Sequence, residues 1–184
     1  MDILFPRIPL RRWLKMVGIA FVGAAIAGLY GIIHDQVTFS ISPEYFTRLK
    51  FTQFHWANTG LPVRLFVAEI GFLATWWVGF IAGWVLARIS AEAAEPRPML
   101  SLVTRGFAIV VGAAFVAAVT AFVYGLRQDI QWGNSGLAAF AVNLGVSDVS
   151  AFVRVAYIHN AGYLGGLLGI ITAALLLWRK VHRT

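Results

Sequence analysis

Four runs of apolar residues, near 13–34, 62–88, 105–126 and 151–178, are each long enough to cross a bilayer as a helix, which takes about 20 residues. The hydrocarbon core offers no water to an exposed peptide group, so a spanning segment must satisfy its own backbone as a helix or join a closed barrel. Barrel strands alternate apolar and polar residues; these runs are continuous and rich in Gly and Ala. The expected fold is therefore all-α: a polytopic membrane protein with one domain, residues 1–184, folded as a four-transmembrane-helix bundle. Composition agrees, with 59% hydrophobic and 12% charged residues against about 45–50% and 25% in soluble domains. The absence of cysteine removes disulfides, thiolate metal sites and cysteine nucleophiles from consideration.

Charge follows topology. Ten Lys and Arg fall on the side that holds both termini and five on the other. The positive-inside rule then places both termini in the cytoplasm. The acidic residues of the outer side cancel its cations, so the positive net charge is a topology signal and gives no support to nucleic-acid binding. Arg11-Arg12-Trp13-Leu14-Lys15 before an apolar run imitates a signal peptide; we read it as a retained first membrane helix. The partners expected are the lipid bilayer and a membrane-protein partner or a second copy of the chain. The four-residue spacing of small residues such as Gly23, Ala27 and Gly31 lets helices approach closely; we read it first as packing inside the bundle, with a seam between two copies as the alternative.

Between the first two spans, Ser42-Pro43-Glu44 has the residues of a helix start. The apolar residues after it predict an amphipathic interfacial helix over about 43–56. A short helix is expected around 136–143. Tyr30–Asp35 can be laid over Tyr124–Asp129, and Arg64/Glu69 over Arg154/His159. Read as a duplication, this makes two pseudo-symmetric helical hairpins and brings His34, Asp35 and Glu69 opposite Asp129 and His159.

Ionisable groups gather at the outer ends of the spans. An acid or imidazole at membrane depth is rarely kept without a partner, and two imidazoles with carboxylates suit zinc, manganese or iron. The candidate ligands are His34, Glu69, His159, Asp35 and Asp129, with Glu44 as a general base or lid contact and His55 on the same loop. Haem, with His34 and His159 as axial ligands, is the less favoured cofactor. No HExxH, ExxH or Gly-x-Ser-x-Gly pattern occurs, so zincin, ferritin-like and serine-hydrolase motifs are missing. The alternatives to a metal-capable site are a polar network without metal, in which Arg64, Arg127 and Arg154 pair with Glu69, Asp129 and Asp35 and the histidines are neutral hydrogen-bonding groups, a non-catalytic accessory subunit of a larger membrane complex, and a small transporter or channel. The last requires a polar path that spans two to four do not offer.

Tyr30-Gly31-x-x-His34-Asp35-Gln36, followed by Ile41-Ser42-Pro43-Glu44-Tyr45-Phe46-Thr47 and later His159-Asn160-x-x-Tyr163-Leu164-Gly165-Gly166, resembles a family of uncharacterised bacterial integral membrane proteins. Those carry His-Asp-Gln at the end of the first span and Glu-Tyr-Phe-Thr soon after. The resemblance covers about half the chain; it implies a bacterial inner membrane and no established activity. It does group His34, Asp35, Gln36, Glu44, His159 and Asn160 in one site.

Overall fold

The computed structural model describes residues 9–91, 96–127 and 136–182. They form α1 (Leu10–Ile41), α2 (Pro43–Tyr45), a π turn (Phe46–Lys50), α3 (Phe51–Gln53), a 3-10 turn (His55–Ala57), α4 (Val63–Ser90), α5 (Pro96–Arg127), α6 (Gly136–Asn143) and α7 (Val149–His182). No strand occurs among the described residues. The four long helices are each apolar and long enough to cross a membrane, and large apolar side chains such as Phe21, Leu29, Ile33, Phe115 and Leu167 stand exposed along them. A surface of that kind is covered by lipid. The chain is a multi-pass four-helix bundle, and α6 falls where the sequence indicates.

Two antiparallel pairs build the bundle, α1 with α4 and α5 with α7. The first is set by glycine. Gly31 lies against Gly71 and Gly23 against Gly79, and a β-carbon on any of these four would run into the carbonyl oxygen opposite. Thr75 adds a cross-helix bond, its hydroxyl donating to the Ala27 carbonyl at 2.8 Å. In lipid, where apolar burial gives helices no preference for each other, such close approach and interhelical bonding drive association. The second pair closes through Gly165 against Ala113 and Gly169 against Val110. The two pairs differ in register. Overlaying them as the repeat directs would set Gly125 opposite Ala161, but Gly125 meets Arg154, seven residues earlier.

Helix α1 continues past residue 34, where the apolar run stops, to Ile41. Its last turns are polar, yet their hydroxyls are satisfied inside the helix: Thr38 donates to the His34 carbonyl at 3.0 Å and Ser40 to that of Gln36 at 3.0 Å. Arg64 of α4 adds bonds to the Gln36 carbonyl and to Ser40. His34 and Asp35 thus sit within the helix rather than at its end. Pro43 stops it, because the residue before a proline is driven out of helical geometry. Ser42 accordingly sits at φ −142°, ψ 95°, and its hydroxyl accepts from the Tyr45 amide at 3.3 Å, starting α2.

From Pro43 to Ala57 the chain forms a helical strap across one end of the bundle. The π turn widens its path by one residue, the Phe51 amide bonding back to the Phe46 carbonyl. That spacing turns Phe46 and Lys50 inward together, both buried. Tyr45 and Phe46 pack with Phe152, Val153 and Ala156 of α7 and with Val67 of α4. The expected interfacial helix is therefore a broken one, docked on the bundle by its aromatic side.

Candidate metal centre

Helices α1 and α7 meet under the strap. The imidazoles of His34 and His159 are in direct contact there, His34 Nε2 to His159 Nδ1 at 3.3 Å, one nitrogen donating and the other accepting. On the far edge of the same ring, His159 Nε2 lies 3.8 Å from Asp35 Oδ1. Asp35 and His159 are 4% and 2% exposed, and His34 is half-buried. One donor atom from each of the three lies within 4.8 Å of the other two. Consecutive residues of a helix point about 100° apart, so His34 and Asp35 bracket the single ring that α7 inserts between them.

Burial of this kind is costly unless each polar atom is bonded. Among the described residues, however, His159 Nε2, Asp35 Oδ2 and the Tyr30 hydroxyl have no hydrogen-bond partner. The donor set, two imidazoles and one carboxylate, suits a divalent first-row ion with coordination positions left open. The direct contact of the two rings leaves no room for a haem plane between them.

Aromatic rings hold the centre in place. Tyr45 stacks on His159 with centroids 4.8 Å apart, and Tyr163 stacks on it at 6.2 Å. Tyr30 stacks on His34 at 5.6 Å, and Phe46 closes edge-on at 6.1 Å from His159. Burial pushes the Tyr45 phenol above its usual range, with Tyr163 and Asp35 adding to the effect, so this ring is a neutral wall. Lys50 completes the cover. It is 6% exposed, donates to the Tyr163 hydroxyl at 3.4 Å and lies about 6 Å from the ring centroids of Tyr45, Phe54 and Tyr163.

Of the residues expected at the site, His34, Asp35 and His159 come together. Glu69 is half-buried on α4 and outside this group; its Oε2 has no bonding partner among the described residues. Asp129 lies outside the described residues. Glu44 is engaged elsewhere: its carboxylate accepts from the Ser147 amide at 2.9 Å and the Asp148 amide at 2.8 Å, just ahead of α7. These two amides, Asp148 first, hold its carboxyl below the usual carboxylate range. Glu44 thus ties the strap to the start of α7. Asp148 itself caps that helix, accepting from the Ala151 amide at 2.9 Å. Gln36 donates to the Arg64 carbonyl at 2.7 Å, and Asn160 and His55 are exposed; none of the three joins the cluster. Lys50, counted in the sequence as one more outer cation, is the residue that charge counting overlooks. Its signal is a lone Lys four residues after Phe46, among Leu49, Phe51 and Phe54.

No family model, no curated protein and no solved structure matches this chain.

Proposed function

We propose that this chain is an integral membrane protein that binds one divalent first-row metal ion on His34, Asp35 and His159, at the end of the bundle covered by the strap. The observation that carries this reading is the buried group itself: one donor atom each from His34, Asp35 and His159 lies within 4.8 Å of the other two, and His159 Nε2 and Asp35 Oδ2 have no hydrogen-bond partner among the described residues. A cation bound there compensates the cost of burying all three groups. Three protein ligands leave at least one position for an exogenous ligand, as in reactive rather than purely structural sites. We place this end on the extracytoplasmic side of a bacterial inner membrane, with both termini cytoplasmic, from the asymmetry of Lys and Arg. The residues that form the centre fall within the segments on which the resemblance to the four-span bacterial family rests.

Metal analysis tests the proposal. Protein purified in mild detergent and reconstituted separately with zinc, manganese, iron(II) and cobalt(II) is expected to hold about one ion per chain with at least one of them. The substitutions His159→Ala and Asp35→Asn should each lower the affinity at least roughly tenfold. Wild-type protein that holds none of the four refutes the reading. The three residues are then a hydrogen-bonded network without an ion, as in an accessory subunit of a larger complex.

A further inference from the structure

Lys50 is a buried ammonium with no carboxylate within ion-pair distance among the described residues. Its one hydrogen bond among the described residues goes to the Tyr163 hydroxyl, which leaves two of its three protons without an oxygen acceptor beside three aromatic rings. Rings attract a cation only modestly, by about 0.5–2 kcal/mol, much less than a buried charge loses in water. Tyr45 and Tyr163, the rings that flank the ammonium, are the same rings that stack on His159, so Lys50 sits on the wall of the metal centre. Charge there does not close. The Asp35 carboxylate offsets one of the two charges of a divalent ion, and Lys50 adds one back.

We propose that Lys50 and the metal centre together form a binding site for an oxyanion, a carboxylate or phosphate group that ligates the ion with one oxygen and accepts from the Lys50 ammonium with another. The proposal rests on the metal reading above and names the class of ligand that its open position takes. Three features support it. An anion supplies the missing negative charge where low polarity makes that charge count most. The ammonium is aimed rather than free, since the Tyr163 hydroxyl and three rings fix its position. Tyr163, 47% exposed, is the edge of the cluster that reaches the lipid-facing surface of the bundle. A soluble anion and the phosphate of a lipid headgroup share the required chemistry.

Cobalt(II), whose visible absorption reports changes in its ligands, provides the test. Chain reconstituted in phosphatidylcholine nanodiscs is loaded with cobalt and titrated with inorganic phosphate or acetate; a second set of discs contains phosphatidylglycerol. A saturable spectral change is expected in the wild type. Its appearance with phosphate or acetate identifies a soluble ligand, and its appearance only with phosphatidylglycerol identifies a headgroup. Lys50→Met should weaken the anion roughly 10- to 100-fold, as for loss of a hydrogen bond to a charged group, with cobalt still bound at one per chain. Lys50→Arg should keep most of the affinity. Should Lys50→Met not fold, Tyr163→Phe serves, with an expected loss of roughly two- to tenfold. Stoichiometric cobalt that responds to none of these anions overturns the proposal, as does a Lys50→Met protein that responds like the wild type. A wild type that binds no cobalt and no other metal fails the metal reading first, and this inference falls with it.

Discussion

Replacing Gly31 by Ala adds one methyl group, and the structure says where it lands. The new β-carbon would overlap the Gly71 carbonyl oxygen and the Thr75 hydroxyl oxygen. The carbonyl is main chain in the middle of α4 and has no rotamer to yield. Relief therefore requires α1 and α4 to separate by roughly 1 Å, because packed interiors have no slack for an extra group. Overpacking of this sort costs about 1–3 kcal/mol, and separation also stretches the 2.8 Å bond from Thr75 to Ala27. The site feels the same movement, since His34 is one turn from Gly31 and metal–ligand distances tolerate only about 0.2 Å. The same change at Gly18 has the opposite sign. Nothing lies within 4 Å of a β-carbon there, and Ala in an open helix position is favoured over Gly by up to about 1 kcal/mol. Thermal unfolding in a single detergent should therefore rank Gly18→Ala at or above wild type and Gly31→Ala clearly below it, with cobalt affinity reduced in Gly31→Ala alone. Equal melting temperatures for the two variants would show that the glycine contact does not set the helix spacing.

The latch between the strap and α7 has a pH signature. The Glu44 carboxyl is held below the usual carboxylate range by the amides of Asp148 and Ser147. Its contribution to strap docking is thus complete above the ordinary glutamate pKa and is lost as pH falls through the lower folded value. Protection factors for amide exchange over residues 43–50, corrected for the intrinsic pH dependence of exchange, should fall on acidification in the wild type and should be low and nearly independent of pH in Glu44→Gln. Exchange unaffected by that substitution would remove the latch. Phe46 has no exposed surface and roofs His159. Phe46→Ala should cost about 3–5 kcal/mol and make His159 reactive to an imidazole-modifying reagent, read by mass spectrometry. Asp148→Ala, which removes the cap on α7, should lower stability by about 0.5–2 kcal/mol without changing metal stoichiometry; a loss of metal would mean that the cap also positions His159.

The number of spans, their helical form and the short α6 were all legible in the sequence, because the hydrocarbon interior imposes length and apolarity on every spanning segment whatever surrounds it. So was the start of the strap at Ser42-Pro43, since a proline constrains its neighbour through local sterics alone. The union of His34, Asp35 and His159 was legible only in outline. One-sided clustering put them at the same end of the bundle, but it put Glu69, Asp129 and Glu44 there as well. Depth along a helix is a property of the sequence, whereas the direction in which a side chain points across the bundle depends on how neighbouring helices are rotated and slid. Here glycine contacts fix α1 on α4, a seven-residue difference sets α7 apart from the expected register, and a π turn swings Phe46 and Lys50 inward. Those features seat His159 between His34 and Asp35, send Glu44 to the amides of α7, and fold Lys50 over the cluster. The glycine spacing is visible in the chain, but which helix it meets, the register of α7 and the inward turn of the strap are not, because each is fixed only where two segments distant in sequence come into contact.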